Sequence, residues 1–414
     1  MPPSPPSLPS PTSRLLPPGA DRLLVVLTDV EMGAGGPTDD FPHSDWLGEL
    51  LLTYNEPPYH RVAVELVFAG DTFDLLKTPY QGEYPRHVTA DVALHKLAAI
   101  GAVHQPFFTA VRRFLEHREA ERRVHFIVGN HDLELLFPEV QRELRRLLGD
   151  DPRVNMAGFE LHVGDVHIEH GQQADAVFRM EEPWFVEYQG QRILNLPWGS
   201  VALLDVAMPM HPILYHHDRI KPREELFQLL PDVREAVVNA YWQYWTRDWA
   251  RSVWRRDDPV KRVSWTVLRE VAYRFRTQDA DVRVRQTFER RLQGPDAPRV
   301  IVVGHEHRPT LSTWGDRRFL VTGAFRNEYM LEQGGRVQRP IPKTWAEVFL
   351  RQDRAVRARL VDIDGPPAPP GYIPDSIFNV LEPVKAHLLA RSAAERQKLA
   401  DAQQEQEARE ADDE

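Results

Sequence analysis

The chain contains no cysteine. Disulfides, thiolate nucleophiles, zinc–thiolate sites and iron–sulfur ligation are therefore excluded, and any metal must be held by histidine, carboxylate or amide side chains. The same absence points to a reducing, cytoplasmic compartment. No apolar run approaches the roughly 20 residues that span a bilayer, so at most a peripheral membrane contact is expected. Basic charge is also scarce: 51 Lys and Arg against 61 Asp and Glu give a formal net charge of -10. Stable nucleic-acid binding is not expected from that balance. The first 20 residues, MPPSPPSLPSPTSRLLPPGA, lack the positive start and apolar centre of a secretory signal and read as a disordered proline-rich arm. Residues 366–414 offer helix formers with almost no apolar stripe and read as a partly helical or disordered extension.

Between these tails lie short runs rich in Val, Ile and Leu, in a chain of 414 residues that is 42% hydrophobic. Leu23 to Leu27, Val64 to Phe68, Val124 to Val128 and Val300 to Val303 have the texture of buried strands in a layered α/β domain. Each runs into polar residues able to chelate or move a proton: Asp29 and Glu31, then Asp71 and Asp74, then Asn130, His131 and Asp132, then His305 and His307. Ligands in α/β folds sit beyond the carboxyl ends of strands, so four such junctions suggest one shared site. Alternating runs on either side of Gly164-Asp165 predict a tight hairpin over Phe159–His170, and Trp314-Gly315-Asp316 predicts another. From Ala174 to Leu292 helical periodicity takes over, and this stretch holds seven of the ten tryptophans. Val238, Trp242, Trp245, Trp249 and Val253 share one helix face. That stripe is either the segment's own core or a groove for an apolar substrate or membrane surface. Residues 216–291 also carry 17 Lys and Arg against 12 Asp and Glu, a solvated face or a guide for an anionic substrate.

The ordered set GDxxD, GNHD, a lone HG and GHxH resembles the calcineurin-like metallophosphoesterases over about Leu23 to Gly323. The resemblance implies a four-layer α/β/β/α sandwich of two mixed sheets, built from 21–173 and 293–365, with 174–292 inserted as a helical cap. It implies two divalent cations, manganese first and iron, zinc or magnesium as alternatives, which together offset the charge of a phosphate ester and lower the pKa of a water. By resemblance Asp71 bridges them. Asp29, Glu31 and His307 would take the first cation, and Asn130, His170 and His305 the second. His131 would protonate the leaving oxygen, with Asp74 as its orienting carboxylate and Asp132 as the second candidate.

Glu31 departs from the pattern, because relatives carry histidine there. Three readings are open: Glu31 binds the first metal, it is an acceptor behind the ligands, or His43 supplies the imidazole. His125, His162 and His167 fall in strand patterns and read as structural. Arg308 follows GHEH and could meet a substrate phosphate or form a surface ion pair. The inserted cap is laid out as in the UDP-2,3-diacylglucosamine hydrolase group, which implies a lipid-linked or nucleotide-sugar pyrophosphate or phosphodiester. His131 stands where that group has arginine. A nucleotide phosphodiesterase or nuclease and a non-catalytic interaction scaffold are the competing expectations. Nothing in the pattern fixes an oligomeric state.

Overall fold

A computed structural model describes residues 16–211, 219–222, 258–277, 282–332 and 337–367, scattered positions between 225 and 246, and Pro369 and Tyr372. The first half runs β1 (Arg22–Leu27), α1 (Ser44–Leu52), β2 (Ala63–Ala69), α2 (Ala90–Val103), α3 (Gln105–Leu115), β3 (Arg122–Ile127), α4 (Pro138–Leu147), β4 (Val154–Met156), β5 (Glu160–Val163) and β6 (Val166–Glu169). Then come β7 (Phe185–Tyr188), β8 (Gln191–Leu194), α5 (Trp198–Ala202), β9 (Ile220–Lys221), α6 (Trp265–Thr277) and α7 (Val282–Gln293). The chain continues through β10 (Val300–Val303), β11 (Thr310–Trp314), β12 (Arg317–Val321), β13 (Tyr329–Leu331), β14 (Val337–Pro340), β15 (Lys343–Arg351) and β16 (Arg354–Ile363).

Two mixed sheets dominate, ordered β16-β15-β1-β2-β3-β4 and β11-β12-β10-β6-β5. Strands β1 to β4 are mutually parallel, as are β6, β10 and β12, so the carboxyl ends within each set share an edge. Alternation along the strands divides the apolar residues. Leu24, Val26, Val67 and Ile127 of the first sheet join Val166, Ile168, Val300 and Val302 of the second in one buried cluster. The other face of the first sheet, with Leu23, Val25 and Phe68, packs on helices through Leu47, Leu97, Phe107 and Leu144. Ile301, Val303 and Phe319 of the second sheet meet Val284, Phe288 and Leu292 of α7.

The helices start where local chemistry allows. Pro106 and Pro138 open α3 and α4, where a missing N–H costs nothing. Thr89 Oγ1 accepts from Val92 N at 3.3 Å to cap α2. Both predicted hairpins form, with Gly164 at φ 58° and Gly315 at φ 60° as the first turn residues, where glycine alone is unstrained.

The inserted segment is not wholly helical. β7 and β8 form a hairpin through Gln189 and Gly190, both at positive φ, and β9 pairs with β13 in a small third sheet. Their runs are too short for periodicity to show, and a Gln-Gly turn is a weaker mark than Asn-Gly. Trp242 is 69% and Val238 47% exposed, so neither is core. Trp245, Trp249 and Val253 lie outside the described residues, as does most of 366–414. Among the described residues no helix is long and apolar enough to cross a membrane.

Candidate metal centre

Each predicted ligand stands just past a strand: Asp29 after β1, Asp71 after β2, Asn130 after β3, His170 after β6 and His305 after β10. Asp29, Glu31, Asp71, His305 and His307 all adopt positive φ, at 52°, 52°, 51°, 69° and 53°. That conformation is sparsely populated for residues with a Cβ and survives only where surrounding contacts impose it. Here the loops are stitched together: Asp29 N donates to Gly70 O at 3.2 Å, Glu31 N to Asp71 O at 2.8 Å, and Gly304 N to His170 O at 2.8 Å. A Cβ on Gly129 would fall 2.1 Å from Asp71 Oδ1, and one on Gly304 would fall 2.5 Å from Asp29 Oδ2. The loops can close around the carboxylates only because these two residues have no side chain.

At the centre, His170 Nδ1 meets the Ala69 carbonyl at 3.0 Å, which as an acceptor places the proton on Nδ1. Nε2 then faces Asp71 Oδ2 at 3.1 Å, Asn130 Oδ1 at 3.2 Å and Asp29 Oδ1 at 3.8 Å. His307 repeats the arrangement. Its Nδ1 lies 2.9 Å from Glu328 Oε1, and its Nε2 is 3.1 Å from Asp29 Oδ1 and 3.8 Å from Glu31 Oε1. Asp29 Oδ1 is buried without a hydrogen bond. Lone pairs thus converge on lone pairs, an arrangement that needs a cation or additional protons. In the protein alone the imidazoles supply the protons. Burial opposes their charge, but Asp71 and Asp29 raise His170 to about 9, and Asp29 and Glu328 raise His307 to about 9. Burial would raise Asp71, yet His170 and His131 hold it well below the usual carboxylate range.

Asp29, Asp71 and His170 form one possible cation group, Asp29, Glu31 and His307 another, and Glu31, Asp74 and His131 a third. Asp29 is common to the first two. The resemblance gave that place to Asp71, whose Oδ1 is engaged by His131 N at 2.7 Å. His305 stands apart from both groups: its Nε2 lies 3.1 Å from Asp175 Oδ2, so only Nδ1 is left to meet a metal. Nitrogen and oxygen donors around an orphaned carboxylate oxygen suit divalent manganese, iron or zinc.

His131 Nδ1 lies 2.9 Å from Asp74 Oδ1. Burial lowers its pKa, but Glu31, Asp71 and Asp74 raise it to about 10. Asp132 lies elsewhere, accepting from Gly129 N at 2.6 Å and Thr72 N at 2.8 Å. Its side chain braces two ligand loops and does not orient His131. Glu31 Oε2 accepts from Lys77 Nζ at 2.7 Å and Arg326 Nη1 at 2.9 Å, leaving Oε1 turned towards His307. His43 precedes α1 and packs against Phe41, outside either group. Arg308 is exposed beside the site.

Several residues of the centre escaped the sequence reading. Lys77 also pairs with Asp40 and with Asp74 Oδ2, the latter at 2.9 Å. Glu328 holds His307 and is met by Lys221 Nζ of β9 at 3.1 Å. Asp175 carries Arg274 at 2.6 Å besides His305. Asp40 is further paired with Arg219 Nε at 2.7 Å, and that guanidinium lies 3.9 Å over the Tyr372 ring. None sits in a local motif. Only Asp39-Asp40, two carboxylates with no adjacent base, hinted that distant cations were needed.

No family model matches the chain, and no curated protein matches it. Among solved structures, a Vps29 single mutant from Entamoeba histolytica is 11% identical, over 83% of this chain and 99% of its own, with a TM-score of 0.23. The phosphopantetheinyl hydrolase PptH from Mycobacterium tuberculosis is 14% identical, over 74% and 91%, with a TM-score of 0.25. Likenesses this weak carry no weight for fold or activity.

Proposed function

We propose that the chain is a calcineurin-like metallophosphoesterase, a four-layer α/β/β/α sandwich that hydrolyses a phosphodiester or pyrophosphate bond. The observation that carries this is the convergence of Asp71, His170, Glu31 and His307 on the buried Asp29, whose Oδ1 has no hydrogen bond, with Asn130 Oδ1 3.2 Å from His170 Nε2. Asp29, Asp71, Asn130 and His170 would hold one divalent cation, joined by His305 through Nδ1, with Asp29 shared between the two groups. Asp29, Glu31 Oε1 and His307 would hold the other. Cations bound there would offset the charge of the phosphate ester and acidify a water. His131, whose Nδ1 is held by Asp74, keeps Nε2 for a proton, and Glu31, Asp71 and Asp74 favour its charged form, so it is suited to protonate a leaving oxygen. Glu328 and the Ala69 carbonyl keep His307 and His170 oriented. The exposed Trp242 and Trp265 favour a lipid-linked or nucleotide-sugar substrate over a bare nucleotide.

The test is metal-dependent hydrolysis of a nitrophenyl monoester, its bis ester, a nucleotide sugar and a UDP-linked acylated sugar, each with Asn130→Ala alongside. Turnover lost in that variant supports the reading. Absence of turnover by metal-loaded wild type overturns it and favours an interaction scaffold. One observation points that way: Lys77 and Arg326 already neutralise Glu31, which weakens the call for a first cation.

A further inference from the structure

The outer face of the β5–β6 hairpin carries a second cluster of metal-ligating side chains, separate from the candidate centre. The register sets His162 opposite His167 and Glu160 opposite Glu169, and strand alternation puts all four on one face. The other face, with Val163, Val166 and Ile168, belongs to the core between the sheets. Arg291 of α7 holds Glu169 at 2.5 Å. The remaining three converge. His162 Nε2 is 3.1 Å from His167 Nδ1 and 3.7 Å from Glu160 Oε1, and the three donor atoms lie within 4.8 Å of one another.

Chemistry and access both suit an ion. Tetrahedral donors held about 2.0–2.1 Å from zinc sit about 3.3–3.4 Å apart, between the 3.1 Å of the histidine pair and the 3.7 Å from His162 to Glu160. The Glu169 carboxylate lies 3.3 Å from His167 Nε2 without hydrogen-bond geometry, and its charge favours a proton on that nitrogen, which leaves the Nδ1 lone pair facing His162. His167 is buried, while His162 and Glu160 are 61% and 53% exposed, giving one fixed ligand and two reachable from solvent. The hairpin tip is pinned: Asp165 N donates to Asp353 O at 3.2 Å, and Asp165 Oδ1 accepts from Ala355 N at 2.7 Å.

We propose that this hairpin binds one zinc-type divalent cation through His162 Nε2, His167 Nδ1 and Glu160, with water completing the shell. Two imidazoles and a carboxylate select zinc, cobalt, nickel or copper over magnesium or calcium. The ion would cross-link β5 to β6 and stiffen the strand that His170 directly follows.

The experiment is equilibrium dialysis of the untagged full chain against zinc with metal analysis, for wild type, His162→Gln, Asn130→Ala and the double variant. The cobalt-loaded spectrum and the zinc-dependent rise in Tm are read in parallel. His162→Gln is expected to lose one bound equivalent, in both the wild-type and the Asn130→Ala background, and most of the zinc-dependent Tm rise. The Asn130→Ala arm keeps the outcome independent of the phosphoesterase reading. Equal zinc content and an unchanged cobalt spectrum in wild type and His162→Gln would overturn the proposal. Should His162→Gln fail to fold, Glu160→Gln decides, with weakened zinc binding expected and undiminished binding against it.

Discussion

Around Asp71, Asn130 and His170, no lysine or arginine side chain comes within ion-pair distance among the described residues; the only cationic partners are imidazoles. A few ångströms away, Glu31 and Asp40 are met by Lys77 and Arg326, Asp40 also by Arg219, and Glu328 by Lys221 and Arg326. One half of the centre leaves its negative charge to be balanced from outside by protons or metal. The other half carries its own permanent cations. Buried charges are tolerated only when compensated, so the first half should respond to added cations and pH, and the second should act as a rigid wall.

The largest expected effect is on the externally balanced half. Asp71→Asn removes the charge on which His170 and an added cation both depend, and metal-dependent hydrolysis should fall to background with a drop in bound metal. Wild-type turnover in that variant would break the assignment. On the self-balanced half, Arg326→Met leaves Glu31 and Asp40 short of a partner. Stability in urea should fall by about 3–5 kcal/mol, with or without a chelator. A loss below about 1 kcal/mol would show that water, not Arg326, balances these carboxylates.

Where the halves meet, His131→Ala should lower turnover by about 10²–10⁴-fold with bound metal unchanged, since the proposed role leaves its Nδ1 on Asp74 and its Nε2 for the leaving oxygen. Loss of metal along with activity would move His131 into the ligand set. A smaller effect concerns His43. Burial, and then the charge on Lys343, lower its pKa from 6.5 to about 4. Between those values the unfolded chain takes up a proton that the native state refuses. Its contribution is therefore whole above about pH 6.5 and declines as pH falls towards 4, by about 3 kcal/mol. His43→Gln should flatten that part of the stability profile, measured by urea unfolding at several pH values. Smallest of all, Arg308→Ala should change stability by less than about 0.5 kcal/mol. A raised KM for anionic esters with unchanged kcat would then give Arg308 a place in substrate binding.

The sequence alone determined the strand runs before Asp29, Asp71, Asn130 and His305, the hairpins at Gly164 and Gly315, and the types of the side chains gathered at the candidate centre. These are local properties: β-branched runs, alternation and glycine turns act over a few residues. It also placed Asp74 three residues after Asp71, which brings the carboxylate to His131. Beyond that range the local signal ended. Lys77 lies 46 residues from Glu31, Arg219 lies 179 from Asp40, and Arg326 lies 295 from Glu31. Whether Glu31 faces a metal or a guanidinium, and whether Asp29 or Asp71 is common to both cation groups, depends on sheet order and loop closure. Only the tertiary structure decided these points, because a buried carboxylate is balanced by whichever cations the packed elements bring near it, whatever their distance along the chain.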